Sequence, residues 1–279
     1  MLTRRKFLVG AGVVGLGFAG YARYWESEAL RVTRHDVPLS PGRSRGSIRL
    51  LHLSDLHASR AVSLEFIQRA IDLGLRLKPD LICVTGDFVT HRFAELERYA
   101  RILKRLPDAA PTYASLGNHD GGAWAGPRGG YESTREVRGL LAASGISLLH
   151  NTACSVTLAG RTWRLVGLGD FWAEELDAKS AFAAAPVQER VPTILLSHNP
   201  DTKDEVESFA WDLMLCGHTH GGQLRLPLLG TPFAPVRDKT FVEGLHRWKD
   251  RWVHITHGVG NLLGFRFNCR PEVSVLTLA

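Results

Sequence analysis

Short apolar runs alternate with segments of helical periodicity along most of the chain, and this alternation limits the fold more than any other feature. Eight runs of six or seven residues are predicted to be strands, and several of them are rich in Val, Ile and Leu, as buried β-strands are. They cover residues 47–53, 81–86, 111–117, 164–169, 193–198, 212–217, 252–258 and 272–278. Apolar residues recur at helical spacing in three segments between them, at 64–78, 93–106 and 134–144. The pattern predicts an α/β fold in which helices cover buried sheets.

Several of the predicted strands end in side chains that can bind a metal ion. These side chains are Asp55, His57, Asp87, Asn118, His198, His218 and His220. Residues two apart in an extended chain point the same way, so Asp55 and His57 can share a site. One Asp-x-His pair is weak support, because most such pairs are polar surface residues. Donors at five strand ends are stronger support, because α/β sheets bind ligands at the carboxyl edge of their strands.

The types of donor indicate transition-metal ions. Imidazoles and carboxylates without thiolates suit borderline divalent ions such as Mn, Fe or Zn. Seven donors exceed the four of a tetrahedral zinc site. They fit two ions that share a carboxylate, an arrangement that serves phosphoryl chemistry. We therefore predict two divalent transition-metal ions.

The motifs D-x-H, G-D, G-N-H-D, H and G-H-x-H, in this order, resemble those of the calcineurin-like metallophosphoesterases. The segments at 221–230 and 258–278 resemble the exported or membrane-associated bacterial branch of that family, which includes UDP-2,3-diacylglucosamine pyrophosphatases. The resemblance implies a four-layer α/β/β/α sandwich over 47–279, with Asp87 as the bridge between two ions. It implies that one ion binds Asp55, His57, Asp87 and His220, and the other Asp87, Asn118, His198 and His218.

The expected reaction is hydrolysis of a phosphodiester or pyrophosphate bond. Metal-bound water, whose pKa falls to around 7, would supply a hydroxide nucleophile. His119 is the candidate general acid or oxyanion stabiliser, and Asp120 is expected to hold its ring. Arg128, in the loop at 121–133, is expected to meet the substrate phosphate, unless this is only a flexible surface loop. His257 is a second candidate substrate residue, because the resemblance leads us to expect Ser-Arg-Gly where this chain has Thr-His-Gly.

The first 24 residues have the anatomy of an export signal or a membrane anchor. The string at 3–8, TRRKFL, resembles the twin-arginine signal, although Val9 stands where Lys is common. We therefore expect the twin-arginine translocase as a partner and the cell envelope as the location. The apolar stretch at 7–22 is shorter than the roughly 20 residues that span a bilayer comfortably. The aromatic residues that follow it favour the membrane interface, so an uncleaved anchor stays open.

Other features exclude some classes of function. The net charge is +6, and residues 1–22 carry three basic and no acidic residues, which leaves +3 for the remainder. That value is too small to indicate nucleic-acid binding. The G-x-G-x-x-G string at 10–15 follows no strand, so it does not predict a dinucleotide site. Residues 25–46 contain prolines and glycines and are predicted to be a connector.

The remaining histidines and the cysteines are assigned structural roles. His52 and His254 are predicted to lie in the interior, and His35, His91, His150 and His246 at the surface. The four cysteines form no C-x-x-C pair. Buried free thiols are favoured for them, and a disulfide remains an alternative for an exported protein.

We therefore predict a metal-dependent phosphoesterase of the cell envelope. A lipid-linked pyrophosphate such as UDP-2,3-diacylglucosamine, of the lipid A pathway, is a candidate substrate. Export argues against this candidate, because lipid A precursors are made on the cytoplasmic side. The alternative is a non-catalytic, metal-containing envelope protein that binds an anionic cell-wall polymer, and the intact set of chemical motifs favours the enzyme.

Overall fold

The computed structural model describes residues 17, 19–39, 47–185, 191–262 and 264–279. Residues 1–16 of the predicted signal and 40–46 of the predicted connector lie outside the described residues. Within the described ranges the chain forms two six-stranded sheets. None of the helices in these ranges combines the length and the apolar character that crossing a membrane requires.

The first sheet holds the strands that precede the first four predicted ligands. Its strands are β1 (Arg31–Val37), β2 (Ile48–Leu53), β3 (Leu81–Thr85), β4 (Thr112–Ser115), β5 (Ser147–Leu148) and β12 (Glu272–Leu278). They lie in the order β1-β12-β2-β3-β4-β5. Strands β2 to β5 are parallel, while β12 is antiparallel to β2. The carboxyl ends of β2, β3 and β4 therefore meet at one edge.

The second sheet holds the strands that precede the three remaining ligands. Its strands are β6 (Thr152–Leu158), β7 (Arg161–Gly167), β8 (Thr193–Leu196), β9 (Leu213–Cys216), β10 (Gly244–Trp248) and β11 (Arg251–Ile255). They lie in the order β10-β11-β9-β8-β7-β6. Strands β7, β8, β9 and β11 are parallel, with antiparallel strands at both edges.

Three apolar layers separate four layers of secondary structure. Leu50 of β2 packs between the two sheets with Leu196 and Leu215 of the second sheet. Its neighbour Leu51 faces the other way, into the helices that cover the first sheet. Side chains alternate along a strand, so a strand buried on both faces is a continuous apolar run. This arrangement confirms the predicted four-layer α/β/β/α sandwich.

Most of the helices cover the outer faces of the two sheets. They are α1 (Leu64–Leu75), α2 (Leu96–Leu103), α3 (Arg105–Ala109), α4 (Gly122–Ala125), α5 (Arg135–Ser144), α6 (Ala178–Ala183) and α7 (Thr202–Glu205). The side chain of Ser63 caps α1 by accepting the backbone N–H of Phe66, at 3.2 Å. The helix predicted at 93–106 is divided into α2 and α3. Pro107 lacks the N–H that would continue α2.

The structure corrects the predicted connector at one point. Residues Arg31–Val37, inside the stretch 25–46, form β1 and pair in parallel with β12. This edge strand is charged and only partly buried, so it lacks the apolar pattern of the central strands. The three other edge strands, β5, β6 and β10, are likewise absent from the prediction, because they too are only partly buried and lack a continuous apolar run.

The structural histidines and cysteines follow the predictions in part. His52 and His254 are buried, and their Nδ1 atoms lie 2.9 Å apart. His91 is exposed, and His35, His150 and His246 are partly exposed, in agreement with their predicted place at the surface. All four cysteines are free, and Cys83, Cys216 and Cys269 are buried while Cys154 is half-buried.

Candidate metal centre

The structure brings the seven predicted ligands to one place, which we call the candidate metal centre. Asp55, His57, Asp87, Asn118, His198, His218 and His220 are all buried. The first four follow β2, β3 and β4 of the first sheet, and the last three follow β8 and β9 of the second. The centre therefore lies where the carboxyl ends of the parallel strands from both sheets converge.

Two carboxylates stand among the imidazoles. Oδ2 of Asp87 lies 3.3 Å from Nε2 of His57 and 3.1 Å from Nε2 of His198. Oδ1 of Asp55 lies 3.4 Å from Nε2 of His220 and 3.8 Å from Nε2 of His57. These donors form two overlapping groups that could each hold an ion, Asp55 with His57 and His220, and Asp55 with Asp87 and His198. Asp87 approaches imidazoles of both predicted ligand sets, as a bridging carboxylate must.

Unpaired polar atoms show that the donor set fits metal ions. Oδ1 of Asn118 and Nε2 of His218 are buried and have no hydrogen-bond partner among the described residues. A buried polar atom left unpaired costs about 1–3 kcal/mol, and native structures rarely leave one without a reason. Amide oxygens and imidazole nitrogens are both ligands of divalent transition metals. Cations at this position would satisfy both atoms.

The backbone at five of the ligands adopts the left-handed conformation, which residues other than glycine rarely adopt. The φ angles are 51° at Asp55, 49° at His57, 55° at Asp87, 68° at His218 and 51° at His220. Such left-handed residues cost on the order of 1–3 kcal/mol each and cluster at functional sites. Five of the seven ligands are held in this way. The strain in these loops lowers the stability of the fold and directs the five side chains at a common point.

Two glycines allow the loops to pack against the carboxylates. A Cβ added at Gly117 would collide with the carboxylate of Asp87, and one at Gly217 would collide with Ser54 and with the carboxylate of Asp55. Only glycine permits such a close approach at these positions. The Gly residues of the G-N-H-D and G-H-x-H motifs are therefore part of the site's packing.

Hydrogen bonds on the far side of the imidazoles set their orientation. Nδ1 of His57 lies 3.1 Å from Oγ1 of Thr90, and Nδ1 of His198 lies 2.7 Å from the carbonyl oxygen of Thr85. These bonds leave Nε2 of each ring directed at the centre. Such outer contacts fix the tautomer and raise the basicity of a ligand.

Burial and the two carboxylates determine the charge states in the metal-free protein. Burial lowers the pKa of His57 to about 3 and the pKa of His218 and His220 well below the ordinary value, so these rings are neutral and can donate a lone pair. Burial alone would also lower the pKa of His198, but the charges of Asp87 and Asp55 outweigh it and raise that pKa well above the ordinary value. A cation bound there would replace this proton.

His119 lies beside the centre in a position suited to an acid. Its ring centroid is 5.0 Å from that of His57, and its backbone N–H donates to Oδ1 of Asp87 at 2.9 Å. Nδ1 lies 3.0 Å from the carbonyl oxygen of Thr90, which requires a proton on Nδ1. Nε2 then remains for a substrate.

The structure corrects the role predicted for Asp120. Its carboxylate accepts backbone N–H groups of Asp87, Phe88 and Gly117, at 2.9, 2.7 and 2.9 Å. The prediction that Asp120 holds the ring of His119 is wrong, because the carbonyl of Thr90 has that position. Asp120 instead ties the loop of one ligand, Asp87, to the turn that carries another.

The two predicted substrate residues differ in their surroundings. Arg128 is exposed, and its guanidinium lies 4.3 Å from the ring centroid of Trp124, which in turn contacts His119. Both ring nitrogens of His257 are engaged by protein groups, Nε2 by Glu243 and Nδ1 by the carbonyl oxygen of Arg270. The substrate role predicted for His257 is therefore not supported, since neither nitrogen is available to a phosphate.

Arg266, which supports the ligand His220, is not among the site residues predicted from the sequence. This fully buried guanidinium donates to the carbonyl oxygens of His257 at 2.7 Å and His220 at 3.3 Å. An arginine therefore braces the turn where the resemblance leads us to expect one, but it comes from nine residues farther along the chain. No spacing in the sequence indicates this contact.

Comparisons with known proteins agree with the site. The calcineurin-like phosphoesterase family matches residues 48–222, which include all seven ligands. The chain is 40% identical to phosphodiesterase YaeI of Escherichia coli over the whole of both chains. It is 30% identical to the uncharacterized metallophosphoesterase YkuE of Bacillus subtilis, over 99% of this chain and 98% of that protein.

A more distant relative carries a more specific name. The chain is 27% identical to the UDP-2,3-diacylglucosamine pyrophosphatase LpxG of Chlamydia trachomatis, over 92% of this chain and 91% of that protein. The fold, the converging ligands and the family match agree with one another, as does the similarity along the whole chain to a protein named as a phosphodiesterase. The chain therefore belongs to the calcineurin-like phosphoesterase family of hydrolases.

Proposed function

We propose that the protein hydrolyses phosphodiester or pyrophosphate bonds with two divalent transition-metal ions, Mn, Fe or Zn, in the candidate metal centre. The observation that carries the proposal is the position of Asp87, whose Oδ2 lies within 3.3 Å of imidazoles from both sheets. The similarity to a phosphodiesterase along the whole chain supports it.

The side chains divide the work of hydrolysis. Ions held by the seven ligands would polarise the phosphoryl oxygen and activate a water at neutral pH. His119 would donate a proton from Nε2 to the leaving oxygen, while the carbonyl of Thr90 holds the proton on Nδ1. Arg128 is an exposed cation that stacks on Trp124, and Trp124 contacts His119 beside the centre. Arg128 would attract the anionic substrate.

We propose a lipid-linked pyrophosphate of the UDP-2,3-diacylglucosamine type as a candidate substrate. The relative LpxG, at 27% identity, supports this class, while the higher identity to a protein named only as a phosphodiesterase supports a broader range of esters. Rates on this pyrophosphate and on bis(4-nitrophenyl) phosphate, measured side by side, decide between the lipid-linked substrate and the broader range of esters. A higher kcat/KM on the nitrophenyl ester would contradict the lipid-linked assignment.

We also propose that the protein works in the cell envelope, exported by the twin-arginine translocase or anchored through its N-terminus. The string at 3–8 supports this location, as do the exposed aromatic rings of Tyr24 and Trp25, which directly follow the apolar stretch. Replacing Arg4 and Arg5 together by Lys should leave the protein in the cytoplasm. An unchanged envelope fraction in that variant would contradict export by this route.

The catalytic proposal is tested with the purified protein loaded with Mn²⁺. We expect about two ions per chain by elemental analysis and turnover of bis(4-nitrophenyl) phosphate. A protein with two ions, no turnover and firm retention on an anionic cell-wall polymer would instead support the non-catalytic alternative.

A further inference from the structure

Two tryptophans stand beside the candidate metal centre, and neither has been assigned a direct contact with the substrate above. The ring centroid of Trp124, in α4, lies 4.5 Å from that of His119 in edge contact. The ring centroid of Trp172, in the loop after β7, lies 4.3 Å from that of His218, also in edge contact. The two indoles are 6.1 Å apart, with their planes at 31°. Together they form what we call the aromatic wall, which runs from the candidate acid to a metal ligand.

Trp172 is partly exposed to solvent although its loop is well anchored. Its exposed fraction is 36%, whereas an indole gains more from burial than most side chains. Oδ1 of the buried Asp170 accepts the backbone N–H groups of Trp172 and Ala173, each at 2.8 Å. Gly169 before it donates to Oδ1 of Asn151 at 2.8 Å. The backbone bonds therefore fix the loop, and the ring remains partly uncovered over the ligand His218.

The other end of the aromatic wall carries a cation. The guanidinium of Arg128 lies 4.3 Å from the ring centroid of Trp124, and its Nη1 donates to the carbonyl oxygen of Trp124 at 2.6 Å. A third ring does not fit between the two indoles, because two stacking contacts of about 3.5 Å each exceed their separation of 6.1 Å. The ring surface open to a ligand is therefore the exposed part of Trp172.

We propose that the aromatic wall is a stacking subsite for a planar ring of the substrate, and this proposal rests on the proposed function of the metal centre. A phosphate held by the ions would bring an attached aryl group or nucleobase against Trp172. Stacking of a base on an aromatic side chain corresponds to roughly 5- to 150-fold in affinity and tolerates different rings, because each has a π-face. Esters that carry an aryl group or a nucleobase should therefore bind better than alkyl esters.

The test compares two monoesters that share the phosphate and differ in the ring. Calorimetry with the Mn²⁺-loaded protein measures the Kd of phenyl phosphate and of methyl phosphate. We expect the wild type to prefer phenyl phosphate at least about fivefold. Trp172→Ala and Trp172→Leu should abolish the preference, while Trp172→Phe should keep most of it. The Leu variant keeps an apolar side chain but has no aromatic ring, so it distinguishes stacking on the ring from exclusion of water by apolar volume.

A tryptophan of a second pair provides the matched control. Trp248 is half-buried and stacks on Trp211 at 5.7 Å. It pairs with Arg251 at the beginning of β11, which runs parallel to β9, so it lies at the sheet edge opposite the ligands. Trp248→Ala should leave the preference for phenyl phosphate unchanged.

The outcomes distinguish this proposal from the proposed function. An unchanged preference in Trp172→Ala, or an equal loss in Trp248→Ala, would overturn the stacking subsite. Turnover of bis(4-nitrophenyl) phosphate, measured on the same preparations, tests the function separately. A wild type that turns over without any ring preference overturns the subsite alone. A ring preference that depends on Trp172, without turnover, supports the subsite and contradicts the function.

Discussion

Asp87 is the side chain that approaches imidazoles from both sheets most closely in the candidate metal centre. Its Oδ2 lies close to His57 from the first sheet and His198 from the second, and its Oδ1 accepts the backbone N–H of His119. Burial alone would raise the pKa of Asp87, but the charges of His198 and His119 hold it well below the usual range. The carboxylate is thus ionised at neutral pH, as a bridging ligand must be.

We expect Asp87→Asn to lose at least one ion and more than about 100-fold in phosphodiesterase activity. The amide keeps the shape of the side chain and removes the charge that would balance two cations. Elemental analysis and the rate on bis(4-nitrophenyl) phosphate measure both effects. Asp108→Asn, at an exposed partner of Lys104, is the matched control and should change neither. Full activity with only a trace of metal would contradict the prediction.

His119→Ala should retain both ions and lose most activity where the leaving group is poor. A nitrophenolate leaves without a proton, whereas an alkoxide needs one, and general acids contribute about 10²–10⁴-fold. We expect the loss on an alkyl phosphodiester to approach that range and the loss on a nitrophenyl diester to be much smaller. Metal content and the two rates are measured on the same preparation. Loss of an ion, or equal slowing of both substrates, would assign His119 to a different role.

Asp120→Asn should show a different pattern from His119→Ala. In the wild type the carboxylate accepts four backbone N–H groups, two of them from Asp87 and Gly117. The amide would place an NH₂ donor against these donors and loosen the loop that carries Asp87. We expect weaker metal retention during dialysis and equal slowing of nitrophenyl and alkyl diesters. A selective loss on the alkyl diester would restore the positioning role that the structure removes from Asp120.

The ligands could be predicted from the sequence because each directly follows an apolar strand, and parallel strands bring their ends together. The roles of Asp120 and His257 could not be predicted in this way. Each depends on groups far along the chain, the loop of Asp87 for the first and Glu243 for the second. Local spacing indicates which residues lie in a turn, but it does not indicate which distant donor or acceptor forms hydrogen bonds with them.

At the scale of elements, the strands that could be predicted from the sequence are those that are buried on both faces. The central strands are largely buried and mostly apolar, because the helices cover one face and the partner sheet covers the other. The edge strands β1, β5, β6 and β10 are covered incompletely and carry polar residues that resemble a connector. Sequence patterns therefore located the strands that carry the site and missed the edges, which pair through backbone hydrogen bonds that need no apolar pattern.

The turn after β9 offers a test of close packing at the site. Gly217→Ala should lower the free energy of unfolding by about 1–3 kcal/mol and weaken metal binding, because the new Cβ would collide with Ser54 and Asp55. The matched control is Gly139→Ala in α5, where a Cβ meets nothing within 4 Å and should stabilise the helix by about 0.5–1 kcal/mol. Urea denaturation measures both. Equal shifts of the two midpoints would show that packing on the carboxylates is unimportant.

At the scale of the whole molecule, the candidate metal centre joins two sheets that also share an apolar layer. The first sheet supplies four ligands and the second supplies three, so bound ions cross-link the sandwich at one edge. The apolar layer between the sheets, with Leu50 and Leu196, does not involve the ligands. The protein should therefore stay folded without metal and become less stable, in contrast to small domains whose folding depends on a metal.

Removing the ions should lower the free energy of unfolding by about 2.7 kcal/mol for each site that was held at 100 times its Kd, because the ions bind the native state and not the unfolded chain. Urea denaturation with Mn²⁺ and with excess chelator measures the difference, and the slope with urea should stay nearly constant since the same surface is exposed. Restored Mn²⁺ should recover the midpoint. Asp87→Asn should respond less to the chelator than the wild type, because the cross-link between its sheets is already weakened. Identical midpoints with and without metal in the wild type would mean that the ions do not join the sheets, and that the strained ligand loops hold their geometry through protein contacts alone.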